Sequence, residues 1–492
     1  MKDLAPEWAG DERKVSAVAY DSRACRPGSV FFAFPGIHTQ GTNYIADAIR
    51  NGAIAVVSDH AVPLPENVAG LVDPLVRTRF ATICSRFHGE PEARLSIIGV
   101  TGTDGKSTTS EYLYQLLQRA GKRTALIGTV SMDDGSGYGP SPYRQSTPEA
   151  DQLEAFLDRC LRNGVEHVVL ECTSHALSDR YDRLHAIRYD GGIVTTVTSE
   201  HLEFHGSVPA YVDAKCNLAR RIKQGGFFIS TTVNPHLDAF LEVLPEKVKS
   251  LVVHQNVQAE IGLDASITYH GKVYPTPLHY PVLAGNALLA CLAAAQVLHT
   301  SLEQQLAFVH DLRPVDGRMV TVENHLGLTV LIDFAHTADA YEKLFSFEYQ
   351  RKGQGRILAC FGCAGERDTS KRAPMGRTAS HYADVLFLTD EDPRGEPTEQ
   401  IDRDLLRDAE PVEVHEIPDR AKAIQAMVDA ARPGDTLLFL GKGHEHSIEK
   451  QGVKYPWNER KVVEEALHRR ESREQGCFRT RKEDTGLGGV PE

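Results

Sequence analysis

The chain has no surplus of positive charge. Lys and Arg total 54 against 67 Asp and Glu, a net of −13. A polyanion binder carries a basic footprint, so nucleic acid is not an expected partner. There is no run of about eighteen consecutive apolar residues, so no membrane insertion is expected. The opening residues, MKDLAPEWAGDERK, are acidic and polar and do not read as a signal peptide. Cysteine is sparse: nine residues lie scattered at positions 25, 84, 160, 172, 216, 291, 360, 363 and 477. An odd, dispersed set predicts reduced thiols and a cytoplasmic location, and it excludes a disulfide scaffold. Internal repeats and long low-complexity tracts are also missing.

What is present is ordinary globular material, 41% apolar and 25% charged. At about 150 residues per domain, 492 residues suggest three domains. Short apolar runs alternate with helix-like segments. Strands are predicted at Val30–Phe34, Ala53–Val57, Leu95–Val100, Ala125–Thr129, Val165–Leu170 and Gly192–Val197, and the pattern restarts at Thr329–Ile332, Ile357–Phe361, Val385–Leu388 and Thr436–Leu440. Helical spacing falls at Tyr44–Asn51, Thr108–Ala120 and Asn286–Val297. This alternation predicts an α/β fold built from βαβ units with parallel sheets. Boundaries near Gly89–Arg94 and Leu312–Asp316 divide the chain into residues 1–92, 93–313 and 314–467. Residues 468–492 are charged and without apolar periodicity, so a disordered tail is expected there.

The strongest motif is Gly99-Val-Thr-Gly102-Thr-Asp-Gly105-Lys106-Ser107-Thr108-Thr109, with a strand leading in and an amphipathic helix leading out. Gly102 and Gly105 let backbone N–H groups approach phosphate oxygens, and the helix N-terminus adds partial positive charge. Lys106 can bridge the β and γ oxygens, and the Ser107 hydroxyl can ligate Mg²⁺. Spacing departs from a strict Walker A, because Val100 stands where its first glycine would fall. Glu171 ends an apolar strand on the side where open α/β sheets bind ligands, and His201 follows another. A carboxylate and an imidazole suit a hard metal that keeps phosphate oxygens as its other ligands.

Thr101-Gly-Thr-Asp-Gly-Lys-Ser107 resembles the ATP loop of the Mur ligases, the ATP-dependent amino-acid ligases of peptidoglycan synthesis. Further segments match in order: Asp21-Ser-Arg23, Glu171-Cys-Thr-Ser-His175, Glu200-His201-Leu-Glu-Phe-His205-Gly206, Ala214-Lys215, Gly317-Arg318, Asp333-Phe-Ala-His336-Thr337, Phe361-Gly-Cys-Ala-Gly-Glu-Arg367-Asp368, Asp392-Pro-Arg394 and Gly441-Lys-Gly-His-Glu445. The last two resemble the members that add the third residue of the stem peptide. The resemblance covers residues 15 to 465 and implies three domains: an N-terminal α/β domain for a uridine nucleotide, a central P-loop ATPase with a mainly parallel sheet, and a C-terminal Rossmann-like domain for the incoming amino acid.

It also implies roles. Gly102, Thr103, Asp104, Gly105, Lys106, Ser107 and Thr108 would hold ATP, with Asn286 on adenine, Arg318 on phosphate, Asp333 on the nucleoside and His336 nearby. Lys106, Glu171, His201 and Lys215 would be catalytic. Mg²⁺ would sit on Ser107, Glu171, His201 and a carbamylated Lys215 (N6-carboxylysine), a modification that needs a neutral amine. UDP-MurNAc-L-Ala-D-Glu would contact Ser22, Ile37, His38, Thr39, Gln145, Ser146, Thr147, Thr173 and Arg183, with Arg180 competing for the last role. The amino-acid site would comprise Arg367, Glu391, Asp392, Pro393, Arg394, Gly441 and Glu445, the last on the α-ammonium. Asp104 departs from the Asn usual in the loop. A monomer is expected.

The reaction itself explains this demand for charge. A carboxylate becomes reactive toward an amine as an acyl phosphate formed from ATP, and both steps move negative charge between closely held anions. Members that add meso-diaminopimelate carry Asp-Asn-Pro-Arg where this chain has Glu391-Asp392-Pro393-Arg394. A carboxylate in place of the amide repels a distal carboxylate by about 4 kcal/mol at 4 Å and an effective dielectric of 20, roughly a thousandfold in affinity. L-Lysine or L-ornithine is the expected acceptor. The competing readings are another ligase of the superfamily, such as folylpolyglutamate synthetase, and a catalytically silent nucleotide-binding regulator.

Overall fold

Runs such as Val30-Phe-Phe-Ala33 and Leu437-Leu-Phe-Leu440 are apolar at every position, which suits strands covered on both faces. In the computed structural model, which describes residues 1–36, 39–143, 145–198 and 202–484, these runs are central parallel strands. The chain divides into two units, Met1–Arg313 and Pro314–Glu492.

The first unit contains two main sheets. The smaller has four parallel strands in chain order, Ala17–Ala19, Ser29–Ala33, Ala53–Ser58 and Ala69–Val72. The helix Val76–Phe87 covers one face through Phe80, Ala81, Ile83 and Cys84. The larger sheet runs in the order Lys249–Val253, Ile222–Thr231, Tyr189–Val194, Ser96–Thr101, His167–Glu171, Thr124–Ile127, Ser131–Asp133 and Gly139–Pro140. Its first six strands are parallel and the last two antiparallel. The strand feeding the phosphate loop therefore lies inside the sheet, beside the one that ends in Glu171. A small antiparallel sheet, Ala259–Ile261, Ile267–Tyr269 and Lys272–Tyr274, is appended.

The helix Lys106–Arg119 packs along Pro281–Leu298. Pro281–Leu298 reaches the length and mean hydropathy of a membrane span, although Asn286 and Gln296 interrupt its apolar run, and 67% of it is buried inside the fold. A helix that is apolar all round is a core helix in such a setting. It also starts earlier than predicted, so Asn286 sits in its second turn rather than opening it.

In the second unit, parallel strands follow the order Thr329–Asp333, Thr436–Leu440, Ile357–Phe361, Val385–Leu388 and Glu413–Glu416, with Val320–Thr321 antiparallel at one edge. The last strand in sequence inserts between the first two. The chain segments leaving Asp333, Phe361, Leu388 and Leu440 consequently share one end of the sheet, where such sheets bind ligands. The order expected to end at residue 467 continues in the helix Glu459–Asp484. Its first turns pack Val463, Ala466 and Leu467 into the core; beyond residue 467 apolar periodicity is absent and charge holds the turns instead. Arg469 pairs with Glu465 at 3.1 Å, Arg470 with Glu474 at 3.0 Å, and Glu471 accepts from His325 N at 2.7 Å.

Candidate active site

The phosphate loop is shaped by two glycines. Gly102 has φ +151°, and a Cβ there would lie 1.8 Å from Thr195 Oγ1; Gly105 has φ +80° and caps the helix that begins at Lys106. Thr195 Oγ1 donates to Asp104 O at 2.5 Å and Thr103 N to Thr196 O at 2.7 Å, so the neighbouring strand fixes the loop. Lys106 Nζ donates to Thr103 O at 2.7 Å. Ser107 and Thr108 lie buried in the first helical turn. A Cβ on Gly105 would meet Asn286 Oδ1 at 2.6 Å, so the Asn286 amide packs against the phosphate loop.

Two buried ionisable groups flank the loop. Glu171 ends its strand with both oxygens engaged, accepting from Thr129 N at 3.0 Å and Thr129 Oγ1 at 2.8 Å. Lys215 lies 1% exposed on the helix Val208–Arg220, its Nζ 2.6 Å from Gly102 O and 4.7 Å from the Tyr211 ring centroid. His201, Ile37 and His38 lie outside the described residues.

Thr147, Thr173 and Arg183, which sequence separates widely, come together in a second wall, and the other residues expected at the uridine-nucleotide site are placed as follows. Asp21 caps the turn Ser22–Ala24, leaving Ser22 buried. Thr147 Oγ1 donates to Glu171 O at 2.8 Å and accepts from Thr173 N at 3.0 Å. Ser146 Oγ is 2.7 Å from Thr129 Oγ1, while Gln145 and Thr39 are exposed. Arg183 is 7% exposed, donating to Thr147 O at 3.1 Å and pairing with Glu149 at 2.7 Å. Arg180 is exposed, its guanidinium 5.2 Å from the Phe204 ring centroid. Arg183 thus braces Thr147 and Glu149, whereas Arg180 is open to solvent.

In the second unit, Asp333 accepts from Met319 N and Ala335 N, both at 2.7 Å. Arg318 lies 4.7 Å from the Phe334 ring centroid, and the His444 ring packs on Phe334 at 5.0 Å. Burial, reinforced by Arg318, His446 and Lys442, holds the His444 imidazole down at about 3. His336 Nδ1 lies 2.9 Å from Phe334 O.

The end of the same sheet carries a tight ionic group. Lys442, fully buried, reaches Asp392 Oδ1 at 3.0 Å and Glu445 Oε2 at 2.6 Å. Glu449 N also donates to Asp392 Oδ1, at 2.8 Å. Arg394, at φ +54°, donates to Gly365 O at 2.8 Å and lies 3.8 Å from Glu449. Glu391 is buried with one oxygen lacking any partner among the described residues, and burial raises its pKa. Gly441 donates its N–H to Asp333 O at 3.1 Å, Pro393 is buried, and Arg367 is exposed.

Three family models match this chain in order: the Mur ligase family catalytic domain over residues 14–87, the Mur ligase middle domain over 100–276, and the Mur ligase glutamate ligase domain over 317–443. The chain belongs to the Mur ligase family. A UDP-N-acetylmuramyl-tripeptide synthetase of Roseiflexus sp. (strain RS-1) is 38% identical, covering 95% of this chain and 96% of that protein. A protein of the same description from Borreliella afzelii (strain PKo) is 34% identical over 92% and 94%. A UDP-N-acetylmuramoyl-L-alanyl-D-glutamate--2,6-diaminopimelate ligase of Streptomyces coelicolor is also 34% identical, over 94% of each. Among solved structures, one of a 2,6-diaminopimelate ligase superposes with TM-score 0.61 at 28% identity, covering 93% and 95%. A folylpolyglutamate synthase of Mycobacterium tuberculosis shares the fold, at TM-score 0.58 and 14% identity.

This Mur ligase is therefore an ATP-dependent ligase with the family's three-domain α/β architecture. Reading the sequence missed Lys442 as a partner of Asp392, Thr129 as the holder of Glu171, and Arg77, described below. Lys442 stood in a recognised motif, but its partner is fifty residues away in sequence. Cys360 and Cys363, in Cys-Phe-Gly-Cys, are buried unpaired thiols, pushed up by burial to about 12 and about 11.

Proposed function

We propose that this Mur ligase joins L-lysine or L-ornithine to UDP-MurNAc-L-Ala-D-Glu, forming an acyl phosphate from ATP and releasing phosphate as the amide forms. The observation that carries the choice of acceptor is the charge balance around Asp392. Asp392, Glu445 and Glu449 face Lys442 and Arg394, three carboxylates against two cations. Lys442 offsets part of the repulsion that an isolated Asp392 would exert. The surplus carboxylate still disfavours a distal carboxylate and favours a distal ammonium, by about 1.4 kcal/mol or more, a factor of ten upward.

The N-terminal sheet domain would hold the uridine nucleotide, as Ser22, Thr39 and the wall of Thr147 and Thr173 suggest. Glu171 supplies a buried hard-oxygen donor, and with Ser107 and His201 it suits Mg²⁺, which would neutralise phosphate charge during transfer. A carbamate on Lys215 fits the same setting, because its nitrogen keeps one N–H for Gly102 O. Arg180 and Arg394 are the cations proposed for substrate carboxylates. The enzyme would work in the cytoplasm as a monomer.

The test is a screen of L-lysine, L-ornithine and meso-diaminopimelate with ATP and UDP-MurNAc-L-Ala-D-Glu, with products read by mass spectrometry. The expected product carries lysine or ornithine; a preference for diaminopimelate would overturn the acceptor reading.

A further inference from the structure

The helix Val76–Phe87 belongs to the layer that covers the N-terminal sheet, yet its second residue reaches out of it. The Arg77 guanidinium is clamped between two rings, 4.2 Å from the centroid of Phe34 and 4.5 Å from that of Tyr181. Next to Arg77, Thr78 Oγ1 donates to Asp182 Oδ2 at 2.9 Å, so the helix and the loop carrying Tyr181 are fastened side by side. Tyr181 stacks in turn on Phe204 at 5.3 Å, and Arg183 and Arg180 lie 5.2 and 6.0 Å from the Tyr181 ring.

Three guanidinium groups thus surround one tyrosine. The carboxylates nearby are committed: Glu149 to Arg183, and Asp182 to Arg221, His185 and Thr78. Among the described residues, neither Arg77 nor Arg180 has an ion pair or donates a hydrogen bond to an acceptor. Contact with two rings takes up none of the five N–H donors, which lie along the edge of a guanidinium plane. Burial lowers the Arg77 pKa; the Glu149 carboxylate partly offsets this, and Arg183 and Arg180 add to it, which marks a cation held at a cost. Tyr20, in the segment that leads to Ser22, stacks on Phe34 at 5.5 Å, so the wall proposed for the uridine nucleotide is continuous with this cluster.

We propose that Arg77, with Arg180, binds an anionic group of the nucleotide-peptide substrate through the open edge of its guanidinium, and so joins the N-terminal layer to the ATPase layer when substrate is bound. Paired oxygens on a carboxylate or a diphosphate match that fork equally. The inference rests on the uridine-nucleotide reading above and adds a contact to it.

The experiment is titration calorimetry of the full chain with UDP, which offers only diphosphate, and with UDP-MurNAc-L-Ala-D-Glu, which adds carboxylates. For Arg77→Gln, affinity for the dipeptide substrate is expected to fall at least about tenfold, with the KM for ATP unchanged. If UDP weakens equally, the bound group is the diphosphate; if UDP is unaffected, it is a carboxylate. Both results support the proposal, and unchanged affinity for both ligands overturns it. Arg77→Lys keeps charge but loses the fork, and should weaken binding by an intermediate factor while preserving salt dependence. Should Arg77→Gln unfold, Arg180→Gln and Arg77→Lys carry the same comparison, and full affinity in both overturns the proposal. Wild-type protein that binds neither ligand would instead refute the underlying functional reading.

Discussion

Lys215 Nζ donates to the carbonyl of Gly102 at 2.6 Å, tying a fully buried helix residue to the first glycine of the phosphate loop. A lysine placed there sits within reach of whatever the loop binds. Carbamylation would turn a cation that competes with the metal into an oxygen ligand that helps hold it. Lys215→Ala is expected to reduce turnover by about a thousandfold or more while leaving UDP binding intact. Bicarbonate labelled with ¹³C should give a carbamate resonance in the wild type that Lys215→Ala lacks. Full activity of Lys215→Ala would remove the residue from the chemistry.

The phosphate loop was readable because its chemistry is local: glycines, lysine and serine lie within six positions, between a strand and a helix. Most central strands were readable for the same reason, as unbroken apolar runs. Ile222–Thr231 was not, because Lys223-Gln-Gly-Gly226 interrupts it and Gly225 adopts φ +81°. Contacts formed by distant segments left no local trace. Nothing near Arg77 announces that Phe34 and Tyr181 will enclose it, and nothing near Asp392 announces Lys442. The extension of the final helix past residue 467 escaped detection because its support there is ionic rather than periodic.

The Lys442 group makes a prediction about acceptor choice. Asp392→Asn removes one carboxylate and leaves Arg394 and Lys442, so the balance shifts from one excess anion to none. Activity with diaminopimelate relative to lysine is expected to rise about tenfold. Lys442→Met, which unpairs both Asp392 and Glu445, should raise the KM for the amino acid by about tenfold or more with little change in the KM for ATP. Competition assays with mixed diamino acids measure the first effect and initial-rate kinetics the second. An unchanged ratio in Asp392→Asn would show that charge at this position does not select the acceptor.

Stability should fall with pH through Glu111. This residue is 3% exposed on the helix that follows the phosphate loop, and burial raises its pKa to about 8. Unfolded, it ionises near 4.5. The folded state therefore holds a proton that the unfolded state releases, so its contribution is complete below about 4.5 and is lost as pH rises toward 8. Glu111→Gln, neutral throughout, should gain on the wild type by about 2–4 kcal/mol between these limits. Urea midpoints at pH 5.5 and 8.5 decide this; parallel curves for the two proteins would mean that Glu111 is ionised in the fold.

The end of the second-unit sheet proposed for the amino acid is backed by an ion pair whose side chains have no solvent access. Arg420 and Glu459 are both 0% exposed, and Glu459 also accepts from Trp457 Nε1 at 2.7 Å. Arg420 donates to Leu440 O at 2.8 Å and Asp390 O at 3.4 Å, the backbone positions from which Gly441 and Glu391 continue. Removing one partner leaves the other buried and uncompensated, a loss of about 3–5 kcal/mol. Glu459→Gln should keep the shape while unbalancing the charge, lowering the denaturant midpoint of the second unit and raising the KM for the acceptor together. Arg420→Met combined with Glu459→Met removes both charges and should recover much of the stability, because the desolvation penalty disappears with the pair. It should not recover the acceptor KM, since the carbonyls of Leu440 and Asp390 would have lost the guanidinium that aligns them. Recovery of both would show that packing alone positions those two chain segments.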